Sequence, residues 1–183
     1  MDAGPVARVA ELIHQRNAID KSIAQIIQRP MASGHLGKWL ASQIFDLELE
    51  ESAATAAVHG RFRSGPLHGR TVNLKWYLKR EGALDMTEST TLDYYLVLAG
   101  PTSSAASSRG STRPWCIDAV YLFDARQLRA EQLARGVKGG VASSVRMRQW
   151  AAAEVYPSAS NPLLPMTSRQ KDLLGLFRPV SPP

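Results

Sequence analysis

HGRFRSGPLHGRTVNLKWYLK, residues 59–79, is the stretch that decides the fold. Small, β-branched and aromatic residues dominate 56–62 and 70–78, while Ser64, Gly65, Pro66 and Gly69 supply a turn between them. That combination predicts a β-hairpin. A strand alternates its faces, so Asn73, Lys75 and Tyr77 share one side of the second strand.

Working outward, Ser33 is placed to cap a helix through Leu36, Leu40, Ile44 and Phe45, after which the chain turns acidic at Asp46, Glu48, Glu50 and Glu51. Further upstream, Val6, Val9, Leu12, Ile13, Ile19, Ile23, Ile26 and Ile27 recur near the helical period, predicting an amphipathic helix over 5–28 that ends before Pro30. Downstream, 93–99 (DYYLVLA) and 115–123 (WCIDAVYLF) read as strands, joined by a Ser/Gly-rich surface loop over 100–114. Asp124 then caps a helix over 125–135, broken by Gly136, Gly139 and Gly140, and a further helix is expected over 143–154. The Pro-rich tail, 157–183, holds one short helical segment near 168–177. The order predicts a single α/β domain over 1–156, a small mixed β-sheet flanked by helices.

The chain has 183 residues with 22 Lys and Arg against 16 Asp and Glu, a net charge of +6 that suits a polyanionic partner. No acidic residue lies between Ser52 and Arg80, a window that holds Arg61, Arg63, Arg70, Lys75, Lys79 and Arg80; a second acid-free run, 133–153, carries Arg135, Lys138, Arg146 and Arg148. Cys116 is the single cysteine, which excludes an intrachain disulfide and a cysteine zinc site and fits a reducing cytoplasm. No apolar run approaches the roughly 18 residues of a membrane span. A cytoplasmic protein that neither enters nor spans a membrane is expected.

GHLGKWLASQIFDLELE (34–50), AAVHGRF (56–62), TVNLKWYLK (71–79) and DYYLVL (93–98) together resemble the PD-(D/E)XK, or restriction-endonuclease-like, superfamily, and more closely a prokaryotic family within it. The resemblance covers about residues 33–135. It implies a core in which a helix, a hairpin and a following strand bring carboxylates and a lysine to one phosphodiester, with Mg²⁺ or Mn²⁺ as cofactor where the site cleaves. Lys75 falls on the motif lysine. The aspartate position is His59, the acid two residues before the lysine is Asn73, and the helix position often filled by glutamate is Lys38. All three departures remove negative charge, leaving Glu50 and Glu51 as the candidate metal ligands.

His59, Asn73 and Lys75 are thus the candidate catalytic residues, and Arg61, Arg63, Arg70, Lys79, Arg80, Arg146 and Arg148 the candidate nucleic-acid contacts. His35, His59 and His68 lack the spacing of a metal motif. Trp39, Trp76, Trp115 and Trp150 suit the core, with Trp76 alternatively a platform for a base. The resulting expectation is a DNA- or RNA-binding domain derived from a nuclease, with cleavage weakened or lost. The alternatives are a metal-dependent nuclease with a rearranged site and a non-catalytic protein-interaction module, either of which permits a homodimer.

Overall fold

The computed structural model describes residues 4–50, 57–102 and 114–179. Two helices, α1 (Gly4–Ile27) and α2 (Ser33–Phe45), precede the strands β1 (Leu47–Leu49), β2 (Gly60–Phe62), β3 (Thr71–Tyr77), β4 (Ala83–Leu84), β5 (Tyr94–Ala99) and β6 (Ala119–Asp124). The chain continues through α3 (Ala125–Ala134), β7 (Ser143–Ser144), α4 (Met147–Ala153), β8 (Glu154–Tyr156) and α5 (Ser168–Gly175). Six strands form one mixed sheet in the order β1-β2-β3-β5-β6-β8, in which only β3 and β5 run parallel; β4 and β7 make a separate two-stranded ladder. The expected α/β class with a small mixed sheet is therefore the class observed.

Alternation along the central strands sends side chains into two cores. On one face Val72, Leu74, Trp76, Leu96, Leu98, Val120 and Leu122 pack with Leu40 and Ile44 of α2 and Leu174 of α5. On the other, Tyr95, Val97, Tyr121 and Phe123 pack with Leu128 of α3 and Trp150 of α4. Helices cover both sheet faces, which is why the middle strands read as nearly continuous apolar runs.

The hairpin forms as expected, with a shorter first strand. The Asp93 carboxylate accepts from the Thr71 amide at 2.9 Å and the Thr71 hydroxyl at 3.0 Å, locking the starts of β3 and β5 together. Asp124 caps α3 by accepting from the Arg126 and Gln127 amides at 3.0 and 2.8 Å.

Four expectations are corrected. Ser33 does not cap α2: it is the first helical residue, and the N-cap position is Ala32, which makes no side-chain cap hydrogen bond. The acidic segment after α2, for which the sequence suggested no element, forms a strand, because Leu47 and Leu49 alternate with Glu48 and pair with β2. The helix expected over 143–154 is broken into β7, a shorter α4 and β8, since pairing with β4 and with β6 captures its two ends. The strand expected from Trp115 begins at Ala119, because Ile117 donates its amide to the Phe177 carbonyl at 2.7 Å instead of to a neighbouring strand. The segment read as a tail supplies Leu164 and Leu174 to the core, and the buried Asn161 donates to the Leu122 carbonyl at 2.9 Å.

Close approach of β1 and β2 rests on Gly60. A Cβ at this position would collide with the Glu48 carbonyl, a backbone atom that cannot swing away. Gly60→Ala is expected to lower the unfolding free energy by about 2–3 kcal/mol, read as a shift of the urea midpoint at unchanged slope. A midpoint equal to that of the wild type would show that the two strands have room to part.

Candidate functional site

The site grows from the edge of the hairpin. Just before β2, the His59 amide donates to the Val72 carbonyl at 2.8 Å, and its carbonyl accepts from the Glu50 amide at 2.9 Å. Its ring then takes over where the ladder stops: the Leu74 amide donates to His59 Nδ1 at 2.9 Å. The Leu74 carbonyl lies 3.1 Å from the same nitrogen, so Nδ1 meets both backbone groups of Leu74. Burial and the charges of Lys38 and Lys75 act in the same sense, lowering the His59 pKa to about 4.

Lys75 projects from β3 on the face shared with Asn73 and Tyr77, in register with Val97 of β5. Desolvation is the main cause that lowers its pKa; Asp85 opposes this and Lys38 adds to it. Lys38, on α2, is likewise lowered by desolvation, and then by Arg29. Gly37, beside it, lies against Trp76, where a Cβ would crowd the indole, so α2 crosses β3 closely. Asn73 is wholly buried; its Nδ2 donates to the Ala57 carbonyl at 2.7 Å, while its Oδ1 has no hydrogen-bond partner among the described residues.

His59, Asn73 and Lys75 thus come together on the hairpin, and the charge of Lys38 on α2 reaches His59 and Lys75. Asp85 is a member that the sequence reading missed. It lies in the irregular stretch after β3, outside any motif; its carboxylate accepts from the Ala142 amide at 2.8 Å, and its own amide donates to the Tyr77 hydroxyl at 2.8 Å. Burial keeps that hydroxyl protonated, well above the usual phenol range.

The peripheral candidates fare differently. Arg61 lies 3.8 Å from Glu50, Arg63 3.9 Å from Asp46 and Arg70 3.5 Å from Asp93, all at the surface where such pairs exchange readily for another anion. Arg146 and Arg148 are exposed. Two of the proposed contacts are corrected. The Lys79 side chain is only 15% exposed and pairs with Glu81 at 3.2 Å. Arg80 is committed to packing, its guanidinium 5.4 Å from the Trp150 ring centroid and 5.7 Å from that of Tyr121. Trp76 is not a base platform either, because it is buried, with its indole N–H donating to the Cys116 carbonyl at 3.2 Å.

The donor set does not suit Mg²⁺, which takes several oxygen ligands, anionic ones above all. His59 Nδ1 is occupied, Asn73 offers one neutral oxygen, and two ammonium groups would repel a cation placed among them. Glu50 lies at the surface, 3.8 Å from Arg61, and Glu51 lies outside the described residues. Among the described residues no group of three or more His, Cys, Asp and Glu could hold a metal ion. What the arrangement does offer is two lysines beside the His59 imidazole, groups suited to a phosphate oxygen.

A depressed histidine pKa has a thermodynamic consequence. The unfolded chain takes up a proton near pH 6.5, whereas the folded chain resists it until about pH 4. Stability is thus full above about pH 6.5 and falls as the pH drops toward 4. After allowance for the ring's partial exposure, the loss attributable to His59 is expected to be roughly 1–2 kcal/mol. Urea denaturation at pH 7.5 and 4.5 checks this: His59→Gln should show the smaller difference, and equal differences would place the titration elsewhere.

No protein-family model matches the chain, and no curated protein matches it. Among the described residues no helix is long and apolar enough to cross a membrane.

Proposed function

We propose that this chain is a nucleic-acid-binding domain built on a PD-(D/E)XK-type scaffold, in which the place that would cleave a phosphodiester holds a backbone phosphate instead. The observation that carries the reading is that Lys38 and Lys75 both act electrostatically on His59, and Lys38 on Lys75. An approaching phosphate lowers the cost of holding two partly desolvated ammonium groups side by side, so binding and lysine protonation favour each other. The net charge of +6 and the surface arginines Arg61, Arg63, Arg70, Arg146 and Arg148 extend the attraction along a polyanion.

Fluorescence anisotropy with labelled single- and double-stranded DNA and RNA, across a salt series and with Mg²⁺ or Mn²⁺ present, tests the proposal. A rise in anisotropy, with the nucleic acid left intact on a denaturing gel and log affinity falling linearly in log salt, is the expected result. Undetectable or salt-insensitive binding would overturn it. Cleavage abolished by Lys75→Ala would replace it with a working nuclease whose ligands have moved.

A further inference from the structure

The helix α1 leaves most of its apolar surface unused. Of its 24 residues only Ile27 is buried, while Ile19 is 60% and Ile26 66% exposed. Exposed side chains of this size on a helix that meets the rest of the fold at one end need a partner surface.

The spacing of those side chains restricts what the partner is. Val9, Leu12, Arg16, Ile19, Ile23 and Ile26 follow one another at alternating steps of three and four, the seam of a left-handed coiled coil. Val6, Ile13 and Ile27 widen the same stripe, while Glu11, His14, Asn17, Lys21 and Gln25 face away. A seam with a 3.5-residue period fits another helix of the same period, and this chain carries one.

From this we infer that a second copy of this chain packs along α1, with the two helices antiparallel. In that orientation the seam complements itself: Val9 lies opposite Ile26, Leu12 opposite Ile23, and Arg16 opposite Ile19 of the partner. A parallel pair would place two Arg16 side chains in one layer of the seam, like charges facing each other. The antiparallel pair separates them and keeps the pairing of each Arg16 with Asp20 of its own helix, at 3.5 Å, on the flank. The inference is independent of nucleic-acid binding, although a dimer would present two phosphate sites to one polyanion.

Sedimentation equilibrium of the full chain is expected to give twice the 20.0 kDa chain mass. The double variant Leu12→Asp, Ile19→Asp should halve it without loss of the cooperative urea transition, because these side chains are exposed in the single chain. Arg16→Leu should tighten association by about tenfold, since it removes the one charge from the seam. Orientation is read by cysteine pairing: a mixture of Val9→Cys and Ile26→Cys chains is expected to cross-link under mild oxidation, and Ile26→Cys alone is not. The native Cys116 is buried. A wild-type monomer at concentrations up to roughly 100 µM would overturn the inference and give the face to some other partner. A dimer that survives the double aspartate variant, or that cross-links through Ile26→Cys alone, would overturn it as well.

Discussion

Replacing Trp150 by alanine lowers the unfolding free energy by about 3–5 kcal/mol, the range for removing a large buried aromatic side chain. Trp150 is 1% exposed and meets Tyr121 edge to face at 4.8 Å and Phe123 at 5.0 Å between ring centroids. It therefore fastens α4 to β6, and it also supplies one of the two aromatic faces on which Arg80 rests. Trp150→Phe should cost much less, about 1–2 kcal/mol. The indole N–H is buried without a hydrogen-bond partner among the described residues, so phenylalanine removes an unsatisfied donor while keeping most of the ring contact. Thermal or urea unfolding of both variants measures the difference. Equal losses would mean that the indole nitrogen does have a partner.

The second large effect is on binding. Lys38→Ala and Lys75→Ala should each lower the slope of log affinity against log salt by about 1, and together should weaken binding at low salt by roughly 100-fold. Arg169→Ala, an exposed charge on α5, should change neither quantity by more than the general loss of one surface charge. Should Arg169 matter as much as Lys38 and Lys75, the attraction would be diffuse, with no seat at the hairpin. Neutralising Arg80 is a poorer experiment, because its contacts with the Trp150 and Tyr121 rings confuse a binding loss with an unfolding loss.

Much of the site was legible because its spacing is local. Asn73 and Lys75 share a face by strand alternation, and the turn at Ser64–Gly69 brings His59 beside them whatever the rest of the chain does. Asp85 was not legible, since nothing near it in sequence marks it; only its place between Tyr77 and Ala142 does. The unavailability of Lys79, Arg80 and Trp76 was equally hidden, because a basic or aromatic residue looks the same in sequence whether it meets solvent or a neighbouring ring.

The sequence by itself determined the elements whose periodicity is their own: α1, α2, the hairpin, the apolar strand β5 and the capped helix α3. Each follows from a pattern within about twenty residues, where the helical or strand period and the capping chemistry outweigh more distant influences. The tertiary structure decided the rest. The residues 154–156 are a strand because β6 offers an edge to pair with, and the ends of the segment read as helix are given up to that pairing. The tail enters the core because the sheet leaves an apolar face for Leu164 and Leu174 to cover. The protonation of His59 depends on Leu74 and Lys75 of the neighbouring strand and on Lys38 of the more distant α2. Such outcomes depend on which groups meet and how far water is excluded, and contacts of that kind are set by long-range packing, to which no local pattern gives access.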